Sequence, residues 1–369
     1  MSAAVGTEIP FNALSRATAA IREQLDDAIA RVVDSGWYVL GPEHDAFETE
    51  LAAYVGVDHA MGVGNGTDAL QLALTALGVT AGDQVLTAAN AGGYTSTAAR
   101  SIGADAVYAD VDPDSLLLTV DTLEAAVAAG VAPTAVVVTH LYGTMAEIEH
   151  IVAWAHDRQI AVVEDCAQSL GARTGERMAG SVADIATASF YPTKNLGALG
   201  DAGAVLTANP ELATAVRELR QYGWESKYRT SRPAGRNSRL DELQAAILRV
   251  KLPLLDGWNE RRREIHARYE AAASGSVRLV NRATECFTGH LAVIEVDDRG
   301  TAQAVLAGHG IRFDVHYPIP DHQQPLLAER PARALPVTER AAGRILSVPL
   351  FPELTEAEIE RVCTALGEI

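Results

Sequence analysis

The sequence predicts an α/β protein with a large domain built on a mostly parallel sheet and a smaller C-terminal α/β domain. The chain has 369 residues, more than the roughly 250–300 at which a single hydrophobic core usually stops growing. Between residues 61 and 190, short apolar runs alternate with helical patterns, which is typical of βαβ crossovers. We therefore assign residues 1–250 to the large domain and residues 251–369 to the small one.

The N-terminal part of the chain is predicted to be helical. Residues 17–35 carry apolar side chains at helical spacing, and Gly36 is placed to end that helix. A second helix is expected to follow Pro42. The apolar side chains that should be buried are Ile21, Leu25, Ala28, Ile29 and Val32 in the first helix, and Phe47, Leu51 and Tyr54 in the second.

Short apolar runs after these helices predict the strands of the sheet. Because helical patterns lie between several of the runs, the strands should be joined by crossovers and run parallel. The predicted strands cover residues 61–63, 84–87, 106–109, 135–139, 160–163 and 185–190, and helices are predicted at residues 68–77 and 147–155.

Two helices separated by a proline are predicted where the domains meet. Residues 240–250 and 258–272 show helical spacing, and Pro253 should break the helix between them because it lacks a backbone N–H. We expect the hinge between the domains here. Near the end of the chain, Thr355 and Glu358 form a predicted capping pair for the last helix.

Composition and charge narrow the classes of function. The formal net charge is −18, and no block of Lys or Arg stands out, which disfavours nucleic acid and anionic membranes as partners. The three cysteines are too few and too scattered for a disulfide framework or a metal site. No stretch approaches the ~20 apolar residues of a membrane span, and the N-terminus lacks a leader pattern. We expect a cytoplasmic protein.

The segment 189–203 holds the most informative residue, Lys194. It follows a predicted strand and is too rich in glycine for a regular helix, so Lys194 should lie on a loop at the rim of the sheet. A lysine there can form a Schiff base with an aldehyde if its amine is neutral and screened from bulk water. A lone lysine is more often a solvated surface charge, and only the neighbouring motifs favour the catalytic interpretation.

The first of these motifs ends in Asp165. This residue closes a buried apolar strand, at the edge where open α/β sheets bind ligands. Its carboxylate could pair with a protonated pyridine nitrogen. Taken alone, an acid at this place would more commonly cap the following turn.

The second motif is a glycine-rich turn that contains Gly66 and Thr67. It lies between a predicted strand and a predicted helix, so its backbone N–H groups and the helix dipole favour a phosphate. Many βα turns share this pattern, and Thr67 could instead cap the helix.

Together these motifs resemble the DegT/DnrJ/EryC1/StrS sugar aminotransferases, a branch of the aspartate aminotransferase-like enzymes that use pyridoxal 5′-phosphate. The likeness covers nearly the whole chain. It implies the aspartate aminotransferase-like fold, this cofactor, and a homodimer with active sites shared between subunits. The matching segments are 41–42, 65–70, 164–168, 189–195, 237–245 and 316–318.

The resemblance implies a role for each residue around the cofactor ring. Lys194 would carry the Schiff base and move the proton, Asp165 would pair with the pyridine nitrogen, and Gln168 would bind the phenolic oxygen. Tyr94 is the candidate for the ring that stacks on the cofactor. The segment around Tyr94 does not match the family cleanly, however, and Tyr94 could instead pack in the core.

The resemblance also implies the residues that hold the cofactor phosphate. The backbone at Gly66 and Thr67 and the hydroxyl of Ser189 would bind it within one subunit. Asn237 of the partner subunit would reach the same phosphate, which is why a homodimer is implied.

For the sugar pocket, the sequence resembles the branch that acts on a 3-keto position. Tyr191, Lys227, His316 and Tyr317 would face a nucleotide-linked sugar by this analogy. Lys227 and Arg229 are also the obvious local cations for a diphosphate in an acidic chain, although they could be exposed loop charges.

The implied reaction transfers the amino group of L-glutamate to a nucleotide-linked keto-deoxysugar, with a dTDP-3-keto-6-deoxyhexose as the expected acceptor. A 4-keto-sugar or a cyclic polyol ketone is the alternative acceptor. Related dehydratases carry histidine in place of Lys194, which argues against that reaction. A non-catalytic binding protein should have lost at least one of Lys194, Asp165, Gln168 and Ser189.

Overall fold

A computed structural model describes residues 8–327 and 333–369. The first seven residues, which belong to the segment that lacks a leader pattern, lie outside the described residues. Within the described residues the strands are β1 (His59–Val63), β2 (Gln84–Ala88), β3 (Asp105–Ala109), β4 (Ala135–Thr139), β5 (Ala161–Asp165), β6 (Arg173–Thr174), β7 (Arg177–Met178), β8 (Ile185–Ser189), β9 (Gly203–Thr207), β10 (Trp224–Ser226), β11 (Arg229–Thr230), β12 (Val277–Leu279), β13 (Ala292–Val296) and β14 (Ile345–Val348).

The helices of the described residues surround these strands, and four short 3₁₀ turns join some of them. The helices are α1 (Leu14–Ala20), α2 (Arg22–Ser35), α3 (Pro42–Val55), α4 (Gly66–Ala76), α5 (Tyr94–Ser101), α6 (Val120–Ala128), α7 (Ile148–His156), α8 (Pro210–Leu219), α9 (Glu242–Lys251), α10 (Leu255–Ala272), α11 (Arg299–Gly308), α12 (Pro336–Arg344) and α13 (Glu356–Glu368).

The central sheet of the described chain has seven strands in the order β1–β9–β8–β5–β4–β2–β3. Strand β9 runs antiparallel to β1 and β8, and the other neighbouring strands pair in parallel. The predicted mostly parallel α/β sheet is therefore confirmed. Strand β9 is antiparallel because a loop without a crossover helix connects it to β8.

Register at the carboxyl edge of the sheet positions the site. Thr139 at the end of β4 pairs with Asp165 at the end of β5, and Asp165 pairs with Thr187 in β8. These three residues therefore stand side by side where the parallel strands end.

The N-terminal helices differ from the prediction in one respect. The predicted helix over residues 17–35 is interrupted at Ile21, whose backbone (φ −128°, ψ 24°) leaves helical geometry, and no side chain caps the break. Gly36 ends α2 in the left-handed conformation (φ 64°), and Pro42 opens α3, both as predicted. Tyr54 is only half-buried because its hydroxyl lies 2.5 Å from Asp256 Oδ1.

A second hydrophobic core lies around the antiparallel sheet β12–β13–β14 and includes apolar residues of α10, α11 and α13. Ile9 packs in this core and pairs with Ile311. A 3₁₀ turn that contains Pro253 separates α9 from α10, as predicted. The division of the chain at residue 250 stays a prediction.

The capping pair at the C-terminal helix is confirmed. The Thr355 hydroxyl accepts a hydrogen bond from the Glu358 backbone N–H, and the Glu358 carboxylate accepts one from the Thr355 N–H. Across the described helices, none combines the length and the apolar character that a membrane crossing requires.

Candidate active site

A cavity of about 540 Å³ opens at the carboxyl ends of β5 and β8. It lies at the edge where open α/β sheets bind ligands, and its volume is in the range of small-molecule sites. The structure brings most of the predicted site residues to its walls. These are Gly66, Thr67, Tyr94, Asp165, Ser189, Tyr191, Lys194, His316 and Tyr317.

Lys194 lies on the loop that follows β8. The loop is tightly folded: the Lys194 N–H donates to Tyr191 O (2.8 Å), and a Cβ on Gly197 would lie 2.4 Å from Pro192 O. Desolvation in the cavity lowers the pKa of Lys194 to about 8, although the charge of Asp165 opposes the shift. The lowered pKa makes the neutral amine that a Schiff base requires more accessible than at the ordinary pKa of lysine.

The chain contains three lysines. Lys227 is exposed, and the ammonium of Lys251 donates to Gly197 O (2.6 Å) from beneath the loop. Lys194 is thus the lysine of this chain whose amine faces the large cavity.

Asp165 is buried at the end of β5 with its carboxylate on the cavity. Its Oδ2 accepts a hydrogen bond from the Thr139 hydroxyl (3.2 Å), and its Oδ1 accepts one from the Ala167 N–H (3.1 Å). Burial raises the pKa of Asp165, and these donors and the Lys194 charge oppose that effect. The carboxylate can therefore pair with a cationic group of a ligand.

The preceding residue, Glu164, has a structural role instead. Its carboxylate accepts hydrogen bonds from the His140 ring and from the backbone N–H groups of Gly180, Val182 and Ala183. His140 Nδ1 accepts from the Ala146 N–H, so its Nε2 carries the proton that Glu164 receives. These donors lower the pKa of Glu164.

A turn and a strand end meet closely at the predicted phosphate site. A Cβ on Gly66 would lie 2.7 Å from the Cβ of Ser189, so only glycine lets this turn approach β8 so closely. Asn65 caps α4 by accepting from the Asp68 N–H (2.8 Å). The alternative that Thr67 caps this helix is therefore wrong, and its hydroxyl remains available to a ligand.

Gln168 and Tyr317 are linked beside the cavity. The Gln168 amide oxygen accepts from the Tyr142 N–H (2.6 Å), and its nitrogen donates to the Tyr317 hydroxyl (3.3 Å). Gln168 itself is not among the cavity-lining residues, and its contact with a phenolic oxygen stays a prediction.

Tyr94 stands at the start of α5 and is half exposed on the cavity, so it does not pack in the core. Its ring meets that of Tyr317 edge-on, with centroids 6.3 Å apart. A Cβ on Gly92 would lie 2.7 Å from the Tyr317 ring, which explains why the preceding turn needs glycine. Tyr94 thus faces the cavity, and its stacking on the cofactor stays a prediction.

Besides Gln168, three predicted residues do not line the cavity of their own chain: Asn237, Lys227 and Arg229. Asn237 is exposed, while the neighbouring Ser238 hydroxyl accepts a hydrogen bond from the Gly64 N–H. Lys227 and Arg229 are exposed on the hairpin β10–β11, where Arg229 forms an ion pair with Glu225. The hairpin carries these two cations to the surface of their own subunit, and their contact with a nucleotide-linked sugar stays a prediction.

The structure adds cavity residues that sequence reasoning missed, among them Phe11, Asn12, His290 and Asp314. Phe11 stacks on His316 with ring centroids 5.6 Å apart. The available signal for Phe11 was an aromatic residue that lies outside every predicted helix and strand. His290 had no local signal, since its partners come from distant segments.

Comparison with known proteins identifies the family. The model of the DegT/DnrJ/EryC1/StrS aminotransferase family matches residues 19–367. The chain belongs to this family. It is therefore an aminotransferase, and the enzymes of this family use pyridoxal phosphate.

Named relatives extend over nearly the whole chain. The dTDP-3-amino-3,4,6-trideoxy-alpha-D-glucose transaminase of Streptomyces venezuelae is 40% identical over 365 residues, which cover 98% of this chain and 96% of that protein. The 3-oxo-glucose-6-phosphate:glutamate aminotransferase of Bacillus subtilis is 32% identical over 360 residues, which cover 94% and 80%. The crystal structure of S. venezuelae DesV in complex with a ketimine intermediate superposes with a TM-score of 0.93, at 39% identity and 98% coverage of both chains.

The residues of the cavity in this aminotransferase fit pyridoxal phosphate. Gly66, Thr67 and Ser189 line the cavity where α4 begins, and the N-terminus of a helix favours an anion such as a phosphate. A buried carboxylate at Asp165 and an amine with a lowered pKa at Lys194 lie on the same cavity. These are the groups that a phosphate, a pyridine nitrogen and an aldehyde require.

Proposed function

We propose that this aminotransferase moves the amino group of L-glutamate to a nucleotide-linked 3-keto-deoxysugar, with a dTDP-3-keto-6-deoxyhexose as the expected acceptor. The observation that carries the proposal is the joint position of Lys194, Asp165 and Gly66 on one cavity. The relative from S. venezuelae is named for a dTDP-3-amino sugar, which supports the acceptor. The relative from B. subtilis is named for glutamate, which supports the donor.

The proposed roles of the cofactor residues follow from their positions. Bound pyridoxal phosphate supplies an aldehyde that captures amines and a ring that draws electrons away from Cα. Lys194 Nζ would take the proton from Cα of the donor and deliver it, within the same half-reaction, to the aldehyde-derived carbon of the cofactor, and it would move a proton in the opposite direction in the second half. Asp165 would pair with the ring nitrogen, and the Thr139 hydroxyl and the Ala167 N–H favour its carboxylate form by donating to it.

The acceptor must carry negative charge into a cavity that holds little positive charge. Among the described residues that line the cavity, Lys194 is the one lysine or arginine, whereas Asp165, Asp201 and Asp314 are acidic. A diphosphate therefore needs cations from outside this subunit.

We infer that a second copy of the chain supplies them in a homodimer. Asn237, Lys227 and Arg229 are all exposed on their own subunit, and the same hairpin exposes Tyr228 at 77%. An exposed aromatic beside two cations is unusual on a free surface and suits an interface that binds a nucleotide. The partner subunit's Asn237 would then reach the phosphate of the cofactor.

We also propose that the protein acts in the cytoplasm. Its three cysteines are free thiols in the structure, and Cys166 is buried. Free thiols are typical of reducing compartments.

A sugar phosphate without a nucleotide is the second candidate acceptor. The relative from B. subtilis acts, by its name, on 3-oxo-glucose-6-phosphate. Such an acceptor would need fewer cations from the partner subunit than a nucleotide diphosphate does.

An acceptor competition tests the proposal. The purified enzyme with pyridoxal phosphate and L-glutamate is offered a dTDP-3-keto-6-deoxyhexose, a dTDP-4-keto-6-deoxyhexose or a 3-keto-hexose 6-phosphate, and amino-sugar formation is followed by mass spectrometry. We expect the first to react at least about tenfold faster, because the relative from S. venezuelae is named for a dTDP-3-amino sugar and a misplaced keto carbon would lie away from the reacting amine. If either of the other two sugars reacts faster, it replaces the proposed acceptor. If none of the three reacts, the proposal that the acceptor is a keto-sugar of this kind is rejected.

A further inference from the structure

His290 lines the large cavity together with Lys194, yet the mechanism above gives it no role. It lies just before β13, on the segment that leads into the small sheet, and its side chain is half-buried. Its ring Nδ1 lies 3.0 Å from Asn195 Oδ1. Asn195 is the residue that directly follows Lys194 in the chain.

Two amide side chains determine the tautomer of His290. Asn195 Nδ2 donates both of its protons, to Asn259 Oδ1 (2.7 Å) and to Thr288 O (3.0 Å). Asn259 Nδ2 donates to the backbone oxygen of Leu170 (3.0 Å), which sets the orientation of that amide as well. Asn195 Oδ1 must therefore be an acceptor, so His290 Nδ1 carries the proton and its Nε2 carries a lone pair.

The surroundings of His290 keep the ring neutral. Burial and the charges of Lys194, Arg262 and His316 lower the pKa of His290 well below its usual value. Lys194 in turn faces the carboxylate of Asp165. The His290 Nε2 has no hydrogen-bond partner in the described chain, and it is not among the fully enclosed polar atoms, so its lone pair is open to the cavity.

We propose that His290 is a positioning residue that acts through Lys194. Its Nε2 accepts a hydrogen bond from the Lys194 ammonium while the lysine is not bound to the cofactor, and Asn195 and Asn259 hold the imidazole in the tautomer that can accept. The ammonium that holds the Cα proton is thereby kept aimed into the cavity. This inference rests on the proposed role of Lys194 as the reacting amine.

The contact has a measurable consequence for Lys194. A hydrogen bond to the charged form of a group favours that form, so the acceptor at His290 raises the pKa of Lys194 above the value that burial alone would give. Removal of the acceptor should therefore lower the pKa of Lys194 further.

A matched pair of variants separates the proposed contact of His290 with Lys194 from the hydrogen bond between His290 and Asn195. His290→Asn keeps a donor near the position of Nδ1, which can still bond to Asn195, but loses the acceptor. His290→Gln keeps an acceptor near the position of Nε2 but loses that donor. In the cofactor-free protein, the pKa of Lys194 is measured from the pH dependence of its acetylation by acetic anhydride, read by peptide mass spectrometry.

We expect His290→Asn to lower the pKa of Lys194 by about 1, as the loss of a hydrogen bond to a charged group implies, and His290→Gln to leave it near that of the natural protein. Lys251, whose pKa burial also lowers to about 8, serves as the internal control and should not move. An unchanged pKa of Lys194 in His290→Asn overturns the contact. Parallel shifts of Lys194 and Lys251 would mean a general loss of structure and also overturn it.

Borohydride trapping of pyridoxal phosphate on the natural protein distinguishes this inference from the function on which it rests. Trapping on Lys194 without the pKa change would leave the function standing and reject the role of His290. Trapping on another residue would reject both the function of Lys194 and a role of His290 that acts through it.

Discussion

Asp165 and Lys194 face one cavity from the ends of the adjacent strands β5 and β8, and each opposes the pKa shift that burial imposes on the other. Burial raises the pKa of the carboxyl and lowers that of the amine. Their mutual attraction limits both effects. The attraction favours the carboxylate, which can pair with a cationic ring nitrogen, whereas the lowered pKa of Lys194 favours the neutral amine that a Schiff base requires.

The lowered pKa of Lys194 predicts a pH dependence of stability. The folded-state pKa is about 8 and the ordinary value is 10.5, so between these pH values the unfolded chain binds more protons than the folded one. The free energy of unfolding of the cofactor-free protein should therefore rise with pH across this window, by up to about 3 kcal/mol from this group.

Lys194→Met should remove this contribution. The free energy of unfolding of the natural protein and of the variant is measured by guanidinium denaturation at pH 7.5 and 10.5. The contribution of Lys194 is the difference between the two proteins in how much this free energy changes between the two pH values. Lys251→Met is the comparison variant. Burial also lowers the pKa of Lys251 to about 8, so this variant should remove a similar but separate part of the pH dependence. An unchanged pH slope in Lys194→Met would mean that the Lys194 amine is not held in a desolvated site.

Asp165→Asn is expected to reduce turnover by about two orders of magnitude or more, because the electrostatic partner of the reacting centre is lost. The fold should tolerate the change, since burial disfavours the charge that is removed. Steady-state rates and the guanidinium midpoint are measured together.

Glu164→Gln is the control on the same strand. Glu164 accepts from His140 and three backbone N–H groups, and an amide would turn donors toward some of them. This variant should lose about 1–3 kcal/mol of stability. Asp165→Asn with full turnover, or with the larger loss of stability, would contradict these roles.

Gly66→Ala should weaken the binding of pyridoxal phosphate by about tenfold or more. The added Cβ would lie 2.7 Å from Ser189 Cβ, so the turn must move away from the strand end that completes the phosphate site. The dissociation constant is measured by absorbance titration. Gly257→Ala in α10, where a Cβ has no neighbour within 4 Å, should bind the cofactor normally.

A site shared between subunits predicts complementation. Asn237→Ala and Lys194→Ala chains should each be nearly inactive alone, because each lacks one contribution to every site. After the two are unfolded and refolded together, hybrid dimers should contain one intact site and regain up to about a quarter of the natural activity, as random pairing implies. Activity no higher than that of either parent would indicate that each subunit carries its own site.

Much of the large domain could be predicted because its strands are buried on both faces and stand out as apolar runs. The break at Ile21 carries no proline, glycine or capping side chain, so no local signal marked it. The small α/β domain was predicted, but its individual strands and strand β9 were not located from the sequence. Strand β9 pairs with β1 and strand β14 pairs with β13, and both partners are far away in the chain.

Some residues of the candidate site could also be predicted from the sequence, and others could not. Lys194, Asp165 and Gly66 were predictable because each follows or ends a strand at the edge where parallel strands meet. His290 was missed because Asn195 and Asn259, which orient it, are far away in the sequence. The place of Lys227 could not be predicted, since one sequence does not tell which subunit a surface hairpin serves.

The central claim is that Lys194 is the amine that holds pyridoxal phosphate. Its most direct test is borohydride reduction of the protein with the cofactor, followed by proteolysis and mass spectrometry of the peptides that contain Lys194, Lys227 and Lys251. We expect the reduced cofactor on Lys194, and no label in Lys194→Ala. Label on Lys251, which is also buried with a pKa of about 8, or on neither buried lysine, would contradict the claim.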